Sequence, residues 1–86
     1  LQFLDPVAKP LTLARMRWEE VVGRNVRRLR EEKGLTQEAL AHSADLTTRY
    51  VGGIERGREN PTVAVLGQLA AALGVPPFSL LVPTES

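Results

Sequence analysis

Thr47, Thr48 and Arg49 set two hydroxyls and a guanidinium side by side, just ahead of two apolar residues, Val51 and Ile54, that recur at helical spacing. Hydroxyls donate and accept single hydrogen bonds, and the planar fork of an arginine matches a pair of acceptors such as O6 and N7 of guanine. Gly53 is a fourth position expected on the exposed side of this segment, beside Arg49. Recognition through hydrogen bonds is the chemistry these types support. Bond-making chemistry finds no foothold: Ser43, Ser79 and the threonines near His42 have no matched base at a useful spacing. The glycine-rich phosphate loops are absent. With no Cys and a single His, the chain offers no thiolate or imidazole set for a metal, and His42 reads as a surface histidine. Neither a metal nor an organic cofactor is expected.

The elements that carry these residues follow from the spacing of apolar and capping positions. From Thr36 to Arg56, Leu40, Ala41 and Ala44 form one helical face, Leu46 follows a turn, and Val51 and Ile54 form a second face. That pattern is two short helices joined by a tight turn, with the second, about Thr47 to Arg56, presented outward. Ala41 suits a close helix crossing. Thr36 and Thr47 are natural N-caps, and Asp45 tolerates the left-handed backbone that the turn needs. Ahead of them, a first helix is predicted from about Glu19 to Lys33, with Val22, Val26 and Leu29 inward and Gly34 as its stop. Behind them, Thr62 caps a fourth helix with Val63, Leu66, Leu69, Ala70 and Leu73 inward and Gly74 at its end. Pro76 and Pro77 restart the chain, and Phe78 to Leu81 is predicted as a short fifth helix that closes the core or meets a second subunit. Gly52 and Gly53 each cost a helix interior about 0.5 to 1 kcal/mol relative to Ala.

Three segments in this order, VGRNVRRLREEKGLTQEALA, YVGGIERGRENPT and LAAALGVPPFSLL, make the chain resemble the lambdoid-repressor-like (Cro/C1, XRE) DNA-binding domains from about Trp18 to Leu81. The resemblance implies an all-α fold: a five-helix lambda-repressor-like domain, here with an added N-terminal arm. Residues 1–17 form the arm, 18–82 the helix-turn-helix domain and 83–86 a tail. It also implies sequence-specific binding of double-stranded DNA by a dimer, with the third helix in the major groove and half-sites about one helical turn apart. Base reading falls to Thr48, Arg49 and Gly53. Gln37, Thr47, Arg58, Asn60 and Arg24 are expected on phosphates, Gln37 with help from the backbone N–H groups of a helix start. The positions of Arg30 and Glu55 match a structural ion pair between the first and third helices. Tyr50 either touches the sugar-phosphate backbone or rims the core. Antitoxins and restriction-system controllers share this domain; a third reading, of another class, is a protein-interaction or assembly module, with an unidentified protein partner, in which the helix carrying Gly52 and Gly53 no longer reads bases.

Composition bounds these readings. At 86 residues with 43% apolar and 24% charged, the chain has room for one core, and with two Phe, one Trp and one Tyr that core must be aliphatic. The net charge of +1 alone does not mark a nucleic-acid binder. Its distribution is more telling. Seven basic residues (Arg15, Arg17, Arg24, Arg27, Arg28, Arg30, Lys33) face four acidic ones between Arg15 and Lys33, and Arg49, Arg56 and Arg58 flank the outward helix. Pairs at i, i+4 such as Arg27 with Glu31 and Arg28 with Glu32 also fit an ordinary solvated face. No apolar run approaches a membrane span and no leader pattern is present, so a cytoplasmic, nucleoid-associated protein is expected. Pro6 and Pro10 disfavour helix in the arm, whose Leu11, Leu13 and Met16 invite packing on its own domain or a partner chain. A homodimer through residues 1–16, through 78–82, or both, is the expected assembly.

Overall fold

The computed structural model describes residues 16–84, and the arm expected to pack on its own domain or a partner chain lies, over residues 1–15, outside them. The described chain folds as α1 (Trp18–Glu32), α2 (Gln37–Ala44), α3 (Thr48–Glu55), α4 (Val63–Leu73) and a 3-10 turn (Pro77–Leu81), with no strand among the described residues.

Caps set most of these boundaries. Thr36, Thr47 and Thr62 each accept a hydrogen bond from the backbone N–H three residues on, at 3.0, 3.0 and 3.1 Å. Each satisfies one of the amides a helix start leaves without a partner. At the other ends, Gly74 closes α4 in the left-handed region and Gly34, just past Lys33, ends α1 at φ +70°. Asp45 takes the left-handed turn between α2 and α3, at φ 60° and ψ 44°, so that Leu46 N–H reaches Ala41 O at 2.8 Å. This backward bond ties off the end of α2 and aims the chain into α3. Gln68 adds a second tie by donating to Ala44 O at 2.9 Å.

The core is aliphatic. Val26, Leu40, Val51, Ile54, Leu69 and Leu80 are completely buried, with Ala41 and Ala44 filling the tight places along α2. α1 packs on α3 and on the 3-10 turn, while α2 packs on α3 and α4. Burying a Val, Leu or Ile side chain contributes about 1.5 to 3 kcal/mol, which is what holds such short helices together.

The fifth element is the expected short helix, wound as a 3-10 helix. Pro76 and Pro77 stand at its cap and first position, where no intrahelical N–H is needed, and the five-residue segment closes by the tighter bond of Ser79 N–H to Pro76 O at 2.9 Å. Of its apolar side chains only Leu80 enters the core, whereas Phe78 is 67% exposed.

Two contacts hold α1 in place. At Gly23 it crosses the end of α3 so closely that a Cβ there would lie within van der Waals overlap of Ile54 O and 2.9 Å from Glu55 O. Two residues on, the fully buried Asn25 donates from Nδ2 to Leu80 O and Val82 O, both at 2.9 Å, and accepts from Arg28 at 3.3 Å. The amide thereby fastens the end of the chain to the first helix.

Candidate nucleic-acid interface

α3 presents its first turn and anchors its last. Thr47 is exposed, but its hydroxyl oxygen already accepts from Tyr50 N–H at 3.0 Å, leaving its own O–H free to donate outward. Thr48 and Arg49 follow on the exposed side of that turn. Val51 and Ile54 fasten the opposite face to the core. Tyr50 packs partly against the core and stays partly open to solvent.

The anchor is ionic. Arg30 Nε donates to Glu55 Oε2 at 2.7 Å and Nη2 to Oε1 at 3.1 Å, a two-pronged pair between α1 and α3. The carboxylate side chain is only 3% exposed and the arginine 12%. Arg30 Nη1 also donates to Leu35 O at 2.8 Å, in the loop that leads into α2. The hydrogen bonds to Glu55 hold the guanidinium above its ordinary pKa, with the charges of Glu55 and Glu31 adding to the effect against partial burial. Gln37 joins the same carboxylate, Nε2 to Oε1 at 3.0 Å. One acidic side chain thus collects α1, the start of α2 and the end of α3.

Gln37 is half-buried, and its second amide hydrogen and carbonyl oxygen remain available at the N-terminus of α2. Arg58 and Asn60 are exposed in the loop after α3 and share a cleft with Arg17, Glu20 and Arg56. Arg24 is exposed on α1, next to the Gly23 crossing and outside that cleft. The structure therefore groups Thr47, Thr48 and Arg49 on one turn and Arg58 with Asn60 in one loop, and it leaves Arg24 apart. Arg27 and Arg28 pair with Glu31 and Glu32 at 3.2 and 3.3 Å on the solvated side of α1. Exposed pairs of this kind contribute about 0 to 1 kcal/mol each.

Gly53 corrects its expected exposure. It is buried, because the side chain of Glu59 lies across it, and a Cβ at 53 would sit 2.8 Å from Glu59 Cγ. Its neighbour Gly52 is likewise covered, facing Arg56 Nη1 and the Gln37 amide. The paired glycines are where other side chains are laid over the helix, and α3 runs unbroken through them. Sequence reasoning passed over Glu59, Gly23, Asn25 and Arg17. A glycine inside a charged helix and an asparagine at a core-facing spacing were the available signals for Gly23 and Asn25.

Among the described residues, no three His, Cys, Asp or Glu side chains are grouped to hold a metal ion, and no helix is long and apolar enough to cross a membrane.

Two short helices set at a left-handed turn, with the second helix exposed along its polar first turn, define a helix-turn-helix domain of a transcriptional regulator. The chain belongs to the helix-turn-helix family, whose profile matches residues 26–80. It is 47% identical over 70 residues to y4dJ of Sinorhizobium fredii, an uncharacterized helix-turn-helix-type transcriptional regulator, covering 81% of this chain and 91% of that protein. It is similar also to the immunity repressor protein of Bacillus phage phi105, at 43% over 54 residues, covering 63% of this chain and 38% of the repressor. Among solved structures, the hypothetical transcription factor NHTF from Neisseria superposes with a TM-score of 0.74 at 39% identity, covering 77% of this chain and 76% of that one. The restriction-modification controller protein C.AhdI from Aeromonas hydrophila gives 0.70 at 42% identity, covering 72% and 94%.

Proposed function

We propose that this domain binds double-stranded DNA in a sequence-specific manner as a dimer, with α3 in the major groove, and regulates transcription from the bound site. The observation that carries the reading is the contrast along α3. Its first turn exposes Thr48 and Arg49, while its far end is locked by the buried pair of Glu55 with Arg30. A reading element needs that combination, since its side chains must meet base edges from a fixed frame.

In this reading Thr48 and Arg49 contact bases, Arg49 by a forked pair of bonds to guanine O6 and N7. Gln37, Thr47, Arg58, Asn60 and Arg24 hold phosphates and set the register without carrying sequence information. Exposed Phe78, Leu81 and Val82 are apolar side chains suited to a subunit contact, and residues 1–16 are the other candidate. A restriction-system controller is the second reading, favoured by the likeness to C.AhdI over nearly all of that protein's length.

Selection of bound sequences from a random DNA pool tests the proposal, run with the wild-type chain and with Arg49→Ala. The wild type is expected to enrich one site, and the variant to lose about 1 to 3 kcal/mol on it with relaxed preference at one base pair. Arg58→Ala and Gln37→Ala are expected to weaken all sequences alike. Uniform weakening by Arg49→Ala, with the site preference intact, would remove Arg49 from the bases.

A further inference from the structure

On α3, Gly53 stands four residues after Arg49, so the two positions share one face of the helix. Arg49 fills its place with a side chain from the helix. At 53 the helix has none, and a loop residue occupies the space instead: the hypothetical Cβ would meet Glu59 Cγ at 2.8 Å and Glu59 Oε2 at 3.1 Å.

The backbone explains how residue 59 returns to residue 53. Gly57 adopts φ +74°, which reverses the chain after α3, and its N–H donates to Ile54 O at 3.0 Å. Arg58 N–H then donates to Gly53 O at 2.9 Å, fastening the residue next to Glu59 onto the helix itself. The loop is thus pinned at two points, and Glu59 is the first residue past the second pin. Among the described residues its carboxylate takes part in no hydrogen bond or ion pair, although Arg56 and Arg58 are close in the chain. It is exposed and accepts only.

We infer that Glu59 is a specificity-determining residue, delivered from the loop onto the reading face of α3, where its carboxylate accepts a hydrogen bond from the exocyclic amino group of a cytosine. The inference rests on the DNA-binding reading above. A carboxylate on a face turned to DNA is repelled by phosphates and by the acceptor atoms of guanine and thymine; adenine sets its N6 donor beside the N7 acceptor, whereas cytosine presents the N4 donor with no acceptor of its own next to it in the major groove. Arg49 and Glu59 then form an adjacent donor and acceptor on one face, suited to neighbouring base pairs of opposite pattern. Gly53 is the residue that lets the carboxylate lie close enough to the helix to share that face.

The test is selection from a random DNA pool with the intact chain and three variants, Glu59→Ala, Glu59→Gln and Gly53→Ala, each first checked by thermal melting. The wild type is expected to select a site with cytosine fixed at one position. Glu59→Ala should lose preference at that position alone, with a roughly tenfold to hundredfold fall in affinity for the wild-type site. Glu59→Gln should move the preference there towards adenine, whose N6 and N7 suit an amide. Gly53→Ala should displace the carboxylate and reproduce the loss seen with Glu59→Ala. If the Glu59 variants select the wild-type site unchanged, with affinity equal or raised for all sequences, the residue is only a source of charge repulsion and the inference fails while the DNA-binding reading stands. A wild-type chain that selects no sequence overturns both.

Discussion

Gly23 and Gly67 both lie inside helices, and changing each to Ala is expected to move stability in opposite directions. In isolation the change favours either helix by about 0.5 to 1 kcal/mol, because Ala has less backbone entropy to lose on folding. At Gly67 nothing lies within 4 Å of the added Cβ, so that gain is realised. At Gly23 the Cβ collides with the carbonyl oxygens of Ile54 and Glu55, which are backbone atoms at the end of α3 and cannot swing aside. The helices must part by roughly 1 Å to restore an ordinary contact of about 3.5 Å. Such overpacking costs about 1 to 3 kcal/mol. The damage also spreads, because Arg30 lies two turns along α1 from Gly23 and its bonds to Glu55 span the gap being opened. Because the helix gain is common to both, the two variants should differ by the overpacking cost, about 1 to 3 kcal/mol, against a total stability of about 5 to 15 kcal/mol for a small domain. Thermal unfolding followed by circular dichroism reads the difference directly, at roughly 4 to 8 °C per kcal/mol for a domain of this size. Equal melting temperatures for Gly23→Ala and Gly67→Ala would refute the close crossing as the reason for a glycine at position 23.

Glu55→Ala is expected to destabilise the domain by about 3 to 5 kcal/mol, since it strands a mostly buried guanidinium; a double-mutant cycle with Arg30→Met showing no coupling would dissolve the pair. Asn25→Ala removes the donor to Leu80 O and Val82 O and should cost about 1 to 3 kcal/mol. Amide hydrogen exchange around residues 80–82 is expected to quicken in that variant, and unchanged protection there would show that the segment is held by packing alone. Deleting residues 1–15 should give a folded monomer that binds a full two-half-site operator far more weakly. Sedimentation decides this one, because a truncated dimer as tight as the intact protein would assign the interface to residues 78–82.

The caps were legible because they act locally. Thr36, Thr47, Thr62, Asp45 and Gly74 each perform a task defined within about five residues, so residue type and position were sufficient. The inward residues of α1 and α4 were readable for the same reason, except Val63, expected inward but 85% exposed at the first position of α4, ahead of the turn that meets the core. The short fifth helix was readable as well, but not its 3-10 winding, because apolar content does not distinguish an i to i+3 turn from an α-helical one over five residues. Gly23, Asn25 and Glu59 were opaque for a different reason. The partners of Gly23 and Asn25 lie thirty to sixty residues away, and Glu59 reaches Gly53 only because the loop turns back at Gly57. A glycine that looked like exposed reading surface was therefore a seat for another side chain.

The bond from Asn25 to Leu80 links positions 55 residues apart, and this gives folding during synthesis a definite last step. At about 5 to 20 residues per second, a ribosome needs roughly 3 to 11 seconds to travel from one to the other. Throughout that interval the Nδ2 donor of Asn25 lacks its partners Leu80 O and Val82 O, and the place of Leu80 in the core stays empty. The helix carrying Arg49 and the loop carrying Glu59 are made earlier, yet the scaffold beneath them closes only when the Pro77–Leu81 turn emerges. Contacts of such long sequence separation are the ones that slow folding, and this one joins the first helix of the domain to its last described turn.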